Sequence, residues 1–179
     1  MTRPIPDSYW VIPGLFLAGE YPGSLSNDGA RNKLTRLLEA GIRSFVDLTE
    51  PGELSDYSDL LRECARAEGI EVSHLRVPVR DAEVPTIEQM NSVLAHISME
   101  IEQQRPVYVH CWGGIGRTGT VVGCWMVDRE ARSPEEAIQT IALLREGTTD
   151  AHRPAPETRE QRRFIEHWAA RRAKTADSP

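Results

Sequence analysis

The chain has 179 residues, 40% of them hydrophobic and 27% charged, with a net charge of -6 at neutral pH. That length and balance fit one globular domain with a full core, and the acidic excess argues against a nucleic-acid binder. No apolar run reaches the length of a membrane span and the opening MTRPIPDSYW lacks the apolar core of a secretion signal, so a cytoplasmic location without membrane insertion is expected. Three cysteines, Cys64, Cys111 and Cys124, form an odd set without paired spacing or a histidine cluster. They predict reduced thiols, no disulfide framework and no metal centre.

Tyr9 to Gly19 reads as two short strands turning at Pro13-Gly14, an edge hairpin. Asp28 to Ala40 carries leucines at 34, 37 and 38 and stops at Gly41, the pattern of a short amphipathic helix. Ile42 to Leu48 follows as a nearly continuous apolar strand, expected to be covered on both faces. Tyr57 to Glu68 predicts a second helix, with Cys64 on its core side, and Ile70 to Val79 a second strand. Thr86-x-x-Gln89 opens a helix whose Ile87, Met90, Leu94, Ile97 and Ile101 recur at three and four residues, which makes Met90 a packing residue. Arg105-Pro106 ends it and launches a strand toward Cys111. The helix after that strand is apolar nearly all round and places Cys124 in the core. Ser133-Pro134-Glu135-Glu136 caps a helix to about Glu146, and a last helix runs from Glu157 to about Lys174 with Phe164, Ile165 and Trp168 on its apolar face. The alternation predicts an α/β fold: a central, mainly parallel sheet of four to five strands with helices on both faces.

The stretch from Val107 to Gly119 carries the chemistry. A strand breaks into a glycine-rich loop that begins with Cys111 and closes with Arg117 and Thr118 before the next helix. Loop amides and the positive end of the helix dipole then converge on one spot, a cradle for an anion. Arg117 adds a planar fork of donors suited to phosphate, and Cys111 lies in a field that favours its thiolate. Gly114-x-Gly116-x-x-Gly119 is formally a dinucleotide fingerprint, but the acidic second strand that such a motif requires is absent, since Ser133-Pro134 starts a helix instead. No Lys-Ser/Thr pair closes the loop as a P-loop would.

HCWGGIGRTG, from His110 to Gly119, resembles the cysteine-dependent protein phosphatases, whose signature is His-Cys, five residues, Arg, then Ser or Thr. Over nearly its whole length the chain is similar to a small dual-specificity-type or bacterial protein-tyrosine-phosphatase-like enzyme. One catalytic domain over residues 1–174 and a disordered tail over 175–179 are expected. The resemblance implies hydrolysis of a phosphate monoester through a cysteinyl-phosphate intermediate, without metal or other cofactor, on a phosphorylated protein or small phosphomonoester. Cys111 is then the nucleophile, and Trp112, Gly113, Gly114, Ile115, Gly116 and Arg117 bind the phosphate. His110 supports the loop, and Thr118 steadies the thiolate, unless it is an ordinary first-turn threonine. Asp81, on a loop about thirty residues before Cys111, is the family match for the general acid, with Glu83 as its rival and turn formation as the plain alternative. Asp47, at a strand end, is structural.

Gln161 precedes the apolar stripe of the last helix on the same face. It either holds the hydrolytic water or bonds backbone. Arg153 is a candidate contact for a phosphorylated partner. A non-catalytic phosphate-binding module and a rhodanese-type sulfurtransferase share the loop cysteine or the cradle but need no combination of Cys111, Arg117 and Asp81. Trp112 to Ile115 hold no lysine, which disfavours a phosphoinositide substrate; the number of subunits is not readable from the sequence.

Overall fold

A computed structural model of the chain describes residues 2–130 and 132–176, and of 174–176 only the backbone. β1 (Ser8–Ile12) and β2 (Phe16–Gly19) pair antiparallel around a turn in which Gly14 takes φ 76°, a conformation that glycine adopts without a Cβ penalty. α1 (Asn27–Glu39) starts at Ser26, whose side chain accepts from the Gly29 N–H. β3 (Ser44–Asp47), α2 (Ser58–Ala67) and β4 (Ser73–Arg76) follow. α3 (Ile87–Glu102) and α5 (Pro134–Leu144) both open with complete capping boxes, Thr86 with Gln89 and Ser133 with Glu136. β5 (Val107–His110) and α4 (Gly116–Arg129) lie between them, and α6 (Arg159–Ala176) closes the chain. Thr175 and Ala176, expected in a disordered tail, are therefore helical; residues 177–179 lie outside the described residues.

The sheet order is β1-β2-β5-β3-β4, with every neighbouring pair parallel except β1 with β2. The chain moves outward from β2 to β3 to β4 through α1 and α2, then returns through α3 to insert β5 at the centre. Right-handed crossovers in opposite directions put α1 and α2 on one face and α3 on the other. Residues alternate between the two faces: Phe16, Ala18, Val46, Val107 and Val109 join the core beneath α3 to α6, while Leu17, Phe45 and Tyr108 join the core beneath α1 and α2. Cys124 is in the first core and Cys64 in the second. β4 is shorter than the strand expected from Ile70 to Val79, because Ile70 N–H is still bonded to Ala65 O at the end of α2 at 2.8 Å and Pro78 has no N–H to donate. Beyond it, Val77 and Val79 still donate to Asp47 O and Leu48 O at 2.8 and 3.0 Å, which carries the chain alongside the end of β3. Among the described residues no helix is long and apolar enough to cross a membrane.

α4 is sandwiched between the sheet and α6. Gly123 permits the approach, for a Cβ there would lie 2.4 Å from Ile165 Cδ1. Gly123→Ala is expected to destabilise the fold by about 1–3 kcal/mol in urea unfolding, overpacking outweighing the ~1 kcal/mol that alanine gains over glycine in a helix. Ile165→Val removes that Cδ1 and should recover part of the loss. Costs that simply add in the double variant would contradict this packing.

Candidate active site

β5 ends at the middle of the sheet, and ligands of open α/β sheets collect beyond the carboxyl ends of such strands. Cys111 is the first residue past it. The loop is pinned on both sides, with Trp112 O accepting from Tyr21 N–H at 2.7 Å and His110 O from Leu48 N–H at 2.9 Å. Gly114 has φ 69°, and a Cβ there would lie 2.3 Å from the carbonyl carbon of Gly19 and 2.5 Å from its oxygen. At Gly116 a Cβ would meet both amide atoms of Gln161 at 2.9 Å. α4 then begins without a side-chain cap. Its first ladder bond runs from Gly119 N–H to Ile115 O at 3.1 Å, so the N–H groups of Gly116, Arg117 and Thr118 lie ahead of the helical ladder. They point with the positive end of the helix toward Cys111. Gly114→Ala, which meets backbone on one side and a left-handed φ on the other, should lower the melting temperature and abolish oxyanion binding measured by calorimetry. Unaltered vanadate affinity would count against the loop geometry.

Arg117 has five N–H donors, and hydrogen bonds account for both on Nη1 and one on Nη2. Nη1 donates to Glu53 Oε2 at 2.8 Å and to Val79 O at 2.9 Å. Nη2 reaches Glu53 Oε1 at 2.6 Å and Asp81 Oδ1 at 3.0 Å. Glu53 therefore occupies the end of the guanidinium bidentately, and Arg117 holds the Glu53 carboxyl below its usual range against the opposing effect of burial. The side edge, Nε–H with the second Nη2–H, is different. Nε has no partner, although its residue is only 2% exposed, and the buried Thr118 hydroxyl also has none. The unpartnered N–H of Arg117, on the wall that Cys111 also lines, suits an oxyanion as its acceptor.

These side chains line a cavity of about 340 Å³, whose walls include Cys111, Trp112, Gly113, Ile115, Gly116, Arg117 and Asp81. Cys111 is buried at its base, while Trp112 is 59% exposed at its rim. Asp150, Arg153 and Glu157 complete the wall, and Arg153 pairs with both acids. Glu83 is not part of that wall; its carboxylate lies 3.6 Å from Arg80. Gln161 is fully buried. Its Oε1 accepts from Glu157 N–H and Thr158 N–H at 3.1 and 3.0 Å, and its Nε2 donates to Glu83 O at 3.1 Å. Both lone pairs of that oxygen are taken, so a grip on water that both accepts and donates requires these bonds to break. Gln161 instead ties the loop carrying Asp81 to the start of α6. Glu53 was not singled out in the sequence, because a glutamate 64 residues from its arginine leaves no local pattern. In the turn before it Gly52 takes φ 84°.

His110 is buried under the loop. Its Nδ1 lies 3.0 Å from Cys111 O, an acceptor, so Nδ1 carries the proton and Nε2 accepts from the Tyr57 hydroxyl at 2.7 Å. Burial keeps the ring neutral and pushes its pKa down to about 4, against the pull of the Asp47 carboxylate. Asp47 is fully buried and accepts from Thr49 N–H and Oγ1 at 2.8 and 2.6 Å, and from Arg76 Nε and Nη2 at 3.0 and 2.9 Å. Burial would raise its pKa, but the His74 side chain and the two bonds from Thr49 hold it below the usual carboxylate range. Asp47 thus belongs to the scaffold beneath His110.

A base whose native pKa lies below its unfolded value weakens the fold as pH falls from the unfolded value toward the native one. For His110 that window runs from about 6.5 down to about 4. Unfolding stability should drop by about 2 kcal/mol between pH 7.5 and pH 5 from this ring alone. His110→Asn should lose most of that slope, the half-buried His96, also shifted down by burial, contributing the remainder. An undiminished slope in His110→Asn would contradict the neutral buried ring.

A family model described as Tc-R-P, polymorphic toxin system, DSP-PTPase phosphatase, matches residues 22–131. An uncharacterized protein of Methanocaldococcus jannaschii is 32% identical over 103 residues, 58% of this chain and 64% of the relative. Human cyclin-dependent kinase inhibitor 3 is 29% identical over 133 residues, 69% of this chain and 60% of that protein. The chain thus spans less than two thirds of the length of these relatives. The crystal structure of Tk-PTP in the active form superposes with a TM-score of 0.71 at 26% identity, covering 93% of this chain and 98% of that one. PTPMT1 in complex with PI(5)P superposes with a TM-score of 0.69 at 23% identity over 94% and 98% of the two chains, a likeness of fold alone.

Proposed function

The chain belongs to the DSP-PTPase phosphatase family, and from that premise we propose that it hydrolyses phosphate monoesters of phosphorylated proteins through a cysteinyl-phosphate intermediate. The observation that supports this most directly is the open side edge of Arg117, next to Cys111 and above an uncapped helix end. A phosphate dianion entering the cavity takes Nε–H and the second Nη2–H and replaces Asp81 in its ion pair with Nη2, while Glu53 keeps the far end of the guanidinium in place. The thiolate sulfur of Cys111 attacks phosphorus in line with the leaving oxygen. The P–O bond breaks as Asp81, in its carboxylic acid form, gives that oxygen a proton. Water then attacks phosphorus as Asp81 takes its proton, the S–P bond breaks, and inorganic phosphate departs with the thiolate restored. The Thr118 hydroxyl, buried and without a partner in the fold, turns in this reading to donate to the departing sulfur. In this reading charge is stabilised by Arg117 and backbone amides, and no metal takes part.

Protein substrates are favoured over phosphoinositides by the rim. Asp81, Asp150 and Glu157 border the cavity, and its one further arginine, Arg153, is already paired with two of them. A headgroup with several phosphates would meet carboxylates on nearly every side.

Hydrolysis of an aryl phosphate by the purified chain tests the reading. Cys111→Ser should lower turnover by roughly 10⁴-fold or more while still binding vanadate, and EDTA should leave the parent rate intact; activity that requires an added divalent ion would refute the metal-free route. Asp81→Asn should depend on the leaving group, with a loss of about 10²-fold or more on an alkyl phosphate and much less on a nitrophenyl ester, which departs without a proton. Equal losses on both esters would remove Asp81 from the role of acid.

A further inference from the structure

A second cavity, of about 150 Å³, adjoins the first and shares Trp112, Gly113 and Asp150 with it. Its remaining wall is rich in acceptors. Asp7 uses Oδ1 to accept from Thr149 N–H at 2.6 Å, Glu20 uses Oε2 to pair with Lys33 at 2.9 Å, and Asp150 uses Oδ2 to pair with Arg153 at 3.3 Å. Each carboxylate has a second oxygen beyond these contacts. Arg145 also lines the cavity, but it is 3% exposed and its Nη1 and Nη2 donate to Arg153 O and Asp150 O at 2.8 Å each. It braces the loop that carries Asp150.

Tyr9 supplies an independent observation. It lines the same cavity at 2% exposure, and its hydroxyl, the only polar atom of the side chain, has no hydrogen-bond partner. A buried hydroxyl without a partner is costly, so the site is complete only when a ligand provides one. Burial raises its pKa far above the usual phenol range, against the opposing field of Arg145, so the group that arrives meets a neutral hydroxyl with lone pairs to offer. Three carboxylates, one hydroxyl oxygen and an arginine already bonded to carbonyls suit a group that donates several hydrogens and carries positive charge.

We propose that this second cavity is a specificity subsite for a lysine or arginine side chain of the substrate, one or two residues from the phosphorylated one. The inference rests on the phosphatase reading above and extends it to the sequence around the phosphate. Successive residues of an extended peptide are about 3.3 Å apart. The shared wall of Trp112, Gly113 and Asp150 is therefore a ridge that a peptide can straddle, phosphate on one side and ammonium on the other. The exposed Trp112 ring forms the crest.

The test uses phosphotyrosine peptides that differ only in carrying Lys, Ala or Glu at each of the two positions on either side of the phosphotyrosine. At low salt the Lys peptide should exceed the Glu peptide in kcat/KM by about tenfold at one or more positions, and the ratio should shrink in 0.5 M salt. In an Asp7→Asn/Glu20→Gln chain, which keeps the acceptor to Thr149, the ratio should fall to about one. Because it is a ratio, any general effect on turnover cancels. Tyr9→Phe should also lower the ratio, yet melt no earlier than the parent, since the hydroxyl removed has no partner in the fold. Equal rates for Lys and Glu peptides at every position, or a ratio that survives in the double variant, would overturn the subsite while leaving the phosphatase reading intact. A parent chain inert toward aryl phosphate would overturn both.

Discussion

A buried guanidinium must be neutralised and hydrogen-bonded, and in this molecule that requirement gathers the site. Arg117 draws Glu53 from the loop after β3, and Val79 O and Asp81 from the segment after β4. Three stretches far apart in sequence are thereby fixed around the strand end that carries Cys111. Removing one partner from such a cluster would leave a desolvated charge behind, which is far more costly than the pair is stabilising. The cation also decides what the site can do. Its end edge is filled by Glu53, and its side edge keeps an unpartnered N–H on the wall of the cavity that Cys111 lines.

The loop depends on the cation and on close approach in equal measure. Gly114 lies against the backbone of Gly19, and Gly116 against the amide of Gln161. Neither contact tolerates a side chain, so the turn from β5 into α4 is tight enough to aim the first amides of the helix at one point. Beneath it, His110 holds the Cys111 carbonyl with Nδ1–H while Tyr57 fixes its other nitrogen. That bond chain orients the cysteine backbone without placing a charge below it, because burial keeps the ring neutral. The positive field at the cysteine comes from Arg117 and the helix end.

Much of this was legible in the residues. The two capping boxes, Thr86 with Gln89 and Ser133 with Glu136, were visible as short patterns and appear as hydrogen bonds, because capping is local. The parallel sheet followed from alternation of strand and helix, and the anion cradle from one unbroken stretch between His110 and Gly119. Glu53 and Tyr57 were not legible as site residues, since each acquires its meaning from a partner more than fifty positions away, and Tyr9 acquires its own from a cavity that forms only in the fold. Strand length at β4 was overstated because Ile70 still closes the end of α2, with its N–H bonded to Ala65 O, and Pro78 interrupts donation toward β3. Gln161 lay between the two cases. Its inward face was readable, but that both lone pairs of its oxygen go to Glu157 and Thr158 follows only from the fold.

The measurement that bears most directly on this account is acid quenching of the parent enzyme during the first turnover of an aryl phosphate, followed by mass analysis of its peptides. The account predicts a mass increase of one phosphoryl group on the peptide that contains Cys111, formed with a burst of leaving group and lost in Cys111→Ser. Steady hydrolysis by the parent with no phosphoryl group on that peptide, or with the group on another residue, would contradict it.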